Sequence, residues 1–316
     1  MADASVHPAD LNSILAVTGL VGGGIDAILS PLLTTLKQPR STVERDAVLA
    51  ALNGAMGDYL AATNSPLAIP MRLRRKGRPA TGKLVLLVHD LCLNHRQWTR
   101  KGHNHGTSLA RTLGFTPVHL HYNSGLRIST NGRAFADLIE TLLDEWPAPL
   151  QEFAIVAHGL GGLVARSAYH YGMAARHRWP HRLGSLVFLG TPHHVAPLDL
   201  IGNWVDAALR LSPYTSPLAH LGSVRSAAVT DLHYGNLLDE NWENRDAIPL
   251  PENVRCYAIA ATEDGIVPVS SALGRHEDPA RSLAFPNTHQ WIGHNMNHWA
   301  LLNRPTVYRQ IAKWLA

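Results

Sequence analysis

Phe153-Ala154-Ile155-Val156-Ala157-His158-Gly159-Leu160-Gly161-Gly162-Leu163-Val164-Ala165-Arg166 is the stretch whose reading decides the fold. Four β-formers lead into a run of small residues, and a helix-forming run leads out. This is the strand–turn–helix setting of the nucleophile elbow, written G-x-S-x-G, in which a serine stands on a sharp, strained turn. Ala157 replaces the first glycine, and Gly159 stands where the serine should be. Taken alone, the segment is equally well an ordinary glycine-rich turn, so the rest of the chain has to decide.

Working outward, strands and helices alternate. Leu84 to Val88 is a continuous apolar run, as expected of a central parallel strand covered on both faces. Ala68 to Leu73 reads as an outer strand. Further strands are expected at Thr116 to Tyr122, Leu186 to Leu189 and Val254 to Ala261. Phe135, Leu138, Ile139, Leu142, Leu143 and Trp146 line one face of a helix. Pro305, Val307, Ile311, Trp314 and Leu315 mark a closing amphipathic helix with proline in its first turn. The alternation implies an open, mostly parallel sheet with its reactive site at the carboxyl ends of the strands. Residues 1–65 read as an N-terminal helical extension, with a helix start of capping-box form at Ser41 to Glu44. Residues 66–316 read as the main domain.

Composition narrows the function classes. With 46% hydrophobic and 16% charged residues the chain can bury a sizeable core. Its net charge of +4 is spread thinly. The densest basic cluster is Arg72, Arg74, Arg75, Lys76 and Arg78, too small for a nucleic-acid face and better read as a solvated strand end. Cys92 and Cys256 make no disulfide framework, and their apolar surroundings suit buried thiols. Nothing reaches the length of a membrane span, so no stable membrane insertion is expected. The absence of a charged lead-in before Ile14 to Val21 points to a cytoplasmic protein. Of 19 histidines, His119 and His121 share a strand face and His103 and His105 are similarly spaced. Two histidines without a third ligand make a weak zinc signal, and neither metal nor cofactor is expected.

The chemistry-bearing residues fall at strand ends. His89-Asp90-Leu91 follows the Leu84 to Val88 strand, and Gly190-Thr191-Pro192-His193-His194 follows Leu186 to Leu189. Thr262-Glu263-Asp264-Gly265-Ile266-Val267-Pro268 follows the Val254 strand. A carboxylate there, at a strand end before a glycine turn, is well placed to orient an imidazole, and Asp264 is preferred to Glu263. The same aspartate could instead serve its own turn. The last loop offers His294 and His298, with His298 preferred because it directly precedes the apolar Trp299 to Leu302 run. The order nucleophile, acid, histidine is the one this arrangement uses.

These residues together resemble the α/β-hydrolase superfamily, and within it the bacterial lipases and carboxylesterases, over roughly residues 80–316. The resemblance implies an α/β-hydrolase fold and a serine-type carboxylic ester hydrolase acting on small-molecule, lipid or polyester esters. It implies a triad of position 159, Asp264 and His298, and an oxyanion hole made by the N–H groups of Leu91 and Leu160, each donor worth about 3 kcal/mol. It also suggests a lid within 201–250, where Trp204, Leu209, Leu211, Tyr214, Leu218, Leu221 and Tyr234 fall, although a core-packing helix pair fits equally. The chain's oligomeric state is not legible.

Three departures set expectations. Asp90 stands where the family usually has glycine, and its carboxylate, which would oppose a developing oxyanion, is expected to point away. Val195 follows the two histidines in place of a frequent glycine. Gly159 cannot form an acyl-enzyme, so the chain as written is expected to be inactive. The retained acid and histidine favour a deliberately inactivated copy, in which serine at 159 alone would restore ester hydrolysis. The alternatives are a natural pseudo-hydrolase that binds without cleaving, and an acyltransferase.

Overall fold

Every position of Leu84 to Val88 is buried, because the strand it forms lies inside a sheet with neither face open to water. The computed structural model describes residues 42–316 except 76, 78, 195–197, 211–214, 216–225 and 243–247. Among these, seven strands form one sheet: β1 (Arg72–Arg75), β2 (Lys83–Val88), β3 (Thr116–His121), β4 (Glu152–His158), β5 (Ser185–Leu189), β6 (Arg255–Ala261) and β7 (Gln290–Gly293). Their order is β1-β3-β2-β4-β5-β6-β7. Only β1 runs antiparallel, pairing Leu73 with Leu120, and the other neighbours are parallel.

Two strands differ from expectation. β1 starts at Arg72 rather than Ala68, since Pro70 has no N–H for the ladder and the Ile69 N–H is taken by Asn53 Oδ1 at 2.8 Å. The short β7 was not expected; four residues carry too little periodicity to stand out, and β6 holds them as an edge, pairing Ile259 with Trp291.

The crossover helices include α2 (His105–Thr112), α3 (Ile128–Asp144) and α4 (Leu160–Ala174), and the chain closes with α8 (Pro305–Leu315). Phe135 and Ile139 of α3 and Val307, Ile311 and Trp314 of α8 turn inward at helical spacing. Between β5 and β6 lie α5 (Leu198–Leu209) and α6 (Ala227–Tyr234), and a single turn, α7 (Val269–Ala272), follows β6.

The helix α1 (Val43–Ala62) is not set apart from the sheet. It starts one residue later than a capping box at Ser41 would give, with the Thr42 hydroxyl accepting the Arg45 N–H at 3.1 Å. Val48, Leu52, Met56 and Leu60 join the same core as β2 and β4. Asn53 donates to Leu67 O, Asn94 to Asp46 O and Asn123 to Gly57 O, at 2.8, 2.9 and 2.8 Å. The core therefore runs unbroken across residue 65. The part of the expected N-terminal helical extension that precedes residue 42 lies outside the described residues.

Candidate active site

The sheet order brings the expected residues to one edge. Val88 of β2 pairs with Ala157 of β4, so the loops that follow these strands, carrying Asp90 and Gly159, emerge side by side. β6 delivers Asp264, and the loop after β7 delivers His298 at the head of a short 3-10 turn capped by Asn297.

Gly159 is the last residue before α4 and has φ 52 and ψ −124. Its N–H reaches back to Leu189 O at 3.0 Å, which ties the turn to β5. A positive φ suits glycine and strains any other residue, as the elbow turn requires. Gly161 is equally constrained, since a β-carbon there would lie 2.6 Å from His89 O. The small residues thus let α4 start hard against the end of β2.

Asp264 and His298 meet. His298 Nδ1 lies 2.9 Å from Asp264 Oδ2, and Asp264 Oδ1 accepts the N–H groups of Ile266 and Val267 at 3.2 and 2.7 Å. The turn geometry foreseen as the bland alternative and the acid–histidine pair coexist in one side chain. Glu263 and His294 are both exposed, whereas Asp264 and His298 are buried.

Asp90 overturns one expectation. Its carboxylate points inward. Oδ1 accepts the N–H groups of Leu91 and Leu160, each at 2.7 Å, so the two expected oxyanion donors converge on it. Oδ2 lies 3.0 Å from His298 Nε2 and accepts the Trp204 indole N–H, also at 3.0 Å. The physical reason is local balance: four donors converge on a dry site, and a carboxylate is the acceptor that satisfies them all. A β-carbon at Gly159 would lie 2.1 Å from Asp90 Oδ1, so the carboxylate occupies the space an elbow side chain would use.

Burial alone would lower the pKa of His298, but the carboxylates of Asp264 and Asp90 outweigh it and raise the imidazole to about 10. His298 is thus an imidazolium at neutral pH. His158, the residue before Gly159, is also fully buried, and burial with the neighbouring His298 charge holds it down to about 4. Its Nε2 lies 3.1 Å from His298 O, while its Nδ1 is 3.8 Å from Asp90 Oδ2.

Sequence reasoning missed Trp204 and His158 as members of this cluster. Trp204 was seen only as part of an insertion; in the structure it lies on α5 and is buried over the site. Of the insertion residues named above, Leu211, Tyr214, Leu218 and Leu221 lie outside the described residues, as does Val195. Burial pushes the Cys256 thiol up to about 12 and the Cys92 thiol higher still, as befits inert core cysteines. His103 Nε2 lies 2.9 Å from His105 Nδ1, whereas His121 Nδ1 lies 3.3 Å from Nδ1 of His95, a residue outside the expected His119 and His121 pair. The basic cluster lies on and after the exposed edge strand β1, with Lys76 and Arg78 outside the described residues.

No family model matches the chain, and no curated protein matches it. Solved structures do. A lipase of Bacillus licheniformis in its mature form aligns with a TM-score of 0.53 at 16% identity, over 78% of this chain and 98% of that one. A soluble variant of the monoglyceride lipase of Saccharomyces cerevisiae, in complex with a substrate analog, aligns with a TM-score of 0.51 at 11% identity, over 78% and 91%. At these identities the likeness is one of fold. The seven-stranded, mostly parallel sheet with its crossover helices is an α/β-hydrolase fold. No described helix is long and apolar enough to cross a membrane.

Proposed function

We propose that the chain is a carboxylic ester hydrolase scaffold held in a non-hydrolytic form by its own Asp90, a natural pseudo-hydrolase rather than an engineered copy. One observation carries this: the Asp90 carboxylate fills the space above Gly159 and takes both oxyanion donors at once. The two departures from the family pattern explain one another. An aspartate at 90 needs a glycine at 159, and a single deliberate substitution of the serine would have left glycine at both positions.

In this reading Asp264 orients His298, and the N–H groups of Leu91 and Leu160 form the oxyanion hole, as they would in an active relative. Asp90 plays the part of a tethered carboxylic acid product, one oxygen on the oxyanion donors and the other on the imidazolium. His298, already protonated, cannot take a proton from an incoming nucleophile. Acyl transfer through a serine ester needs the same absent hydroxyl, so it offers no escape.

The test is the double variant Asp90→Gly/Gly159→Ser, screened against p-nitrophenyl esters of varied chain length. It is expected to hydrolyse esters by orders of magnitude faster than the parent chain, in line with the roughly 10⁶-fold cost of losing a triad nucleophile. A folded double variant inert towards the whole panel, or a parent chain already turning over esters, overturns the reading.

A further inference from the structure

The hydrogen bonds around His158 fix its tautomer. His298 O can only accept, so the His158 proton sits on Nε2 and Nδ1 carries a lone pair. That lone pair is buried, has no hydrogen-bond partner, and faces the Asp90 carboxylate at 3.8 Å. Two electron-rich atoms so placed repel, unless a cation joins them.

His298 contributes a third donor. Asp264 holds its Nδ1–H, so Nε2 is the atom that faces Asp90 Oδ2 at 3.0 Å. Asp90, His158 and His298 each offer a ligand atom, and these atoms lie within 4.8 Å of one another. In a tetrahedral zinc centre, bond lengths near 2.1 Å put donors roughly 3.4 Å apart. The two separations from Asp90 Oδ2, 3.0 and 3.8 Å, straddle that figure.

We infer that Asp90, His158 and His298 form a buried two-histidine, one-carboxylate site for a divalent transition metal of the zinc class. Each ligand already has the outer partner that metal sites use to aim their donors: Asp264 on His298, the His298 carbonyl on His158, and two N–H groups on the far oxygen of Asp90. Three protein ligands leave a fourth position open. The site would hold its ion whether or not the scaffold had ever cleaved an ester.

The experiment uses the full chain stripped with chelator, then given Zn²⁺ or Co²⁺ by long incubation and, because the donors are buried, by refolding from urea in the presence of the ion. Metal content after gel filtration and the visible absorption of Co²⁺ are read. One equivalent of retained Zn²⁺, with tetrahedral-type Co²⁺ bands, is expected. His158→Gln, whose fold is checked by circular dichroism, should lose both, whereas the His95→Gln/His103→Gln double variant should keep both. A folded parent chain that retains no metal by either route overturns the proposal. So does retention that survives His158→Gln, or that disappears with the His95 and His103 changes.

Discussion

The Asp90 carboxylate and the missing side chain of Gly159 share one volume: Oδ1 of the first lies 2.1 Å from where a β-carbon of the second would stand. Residues 69 positions apart in sequence are thereby coupled as tightly as a packed pair, because β2 and β4 are adjacent in the sheet. Serine at 159 and aspartate at 90 cannot both keep their places.

The single variant Gly159→Ser is therefore expected to fail where the sequence alone suggested it would succeed. Its side chain must push Asp90 off two backbone donors, the Trp204 indole and His298. Overpacking of a filled site costs about 1–3 kcal/mol, which urea unfolding would register as a lower midpoint. Ester hydrolysis at the level of the double variant would show that Asp90 swings aside freely.

Removing the plug alone should create a receptor. Asp90→Gly leaves the Leu91 and Leu160 N–H groups and the His298 imidazole facing a space the size of a carboxylate. Acetate or butyrate should bind there and raise the melting temperature of the variant, with no effect on the parent chain. Equal shifts in both proteins, or none in a folded variant, would count against the tethered-product geometry.

In the Asp90→Gly/Gly159→Ser background, His298→Ala should remove several orders of magnitude of activity, as loss of a triad base does. His294→Ala should leave most of it, since His294 is exposed and forms no bond to Asp264. Equal losses in the two variants would mean that the loop rearranges when serine returns.

Acid should destabilise the fold through histidines away from the site. Burial chiefly holds His95 and His121 at about 4 and His105 at about 3. Unfolded imidazoles titrate near ~6.5. Between those values the unfolded chain binds more protons than the folded one, so stability rises with pH over that window and is lost on acidification. Urea midpoints measured from pH 7 down to 4 should fall, and His95→Gln/His121→Gln should flatten the slope. A slope unchanged in that variant would assign the effect to other groups.

The sheet was legible because each central strand carries a continuous apolar run, Leu84 to Val88, Phe153 to Ala157 and Leu186 to Leu189, and the stretches between them keep a helical period. β7 was not, being too short to show a pattern and made a strand by its neighbour. In the site, Asp264 and His298 could be picked out from their places after β6 and before an apolar run. The direction of Asp90 could not. It depends on four donors brought by the loop after β2, α4, α5 and the last loop, and no local window contains more than one of them.

The volume shared by positions 90 and 159 also shapes the routes by which such a chain can change. Of the four combinations of glycine or aspartate at 90 with serine or glycine at 159, one, aspartate with serine, overfills the turn. Aspartate over glycine answers both backbone donors, whereas glycine at 90 leaves them open to a ligand. Serine at 159 is therefore tolerated only once position 90 has lost its aspartate, a case of sign epistasis. The order of the two changes is thereby fixed: a route to the serine form that begins at 159 crosses the overfilled combination, and one that begins at 90 does not.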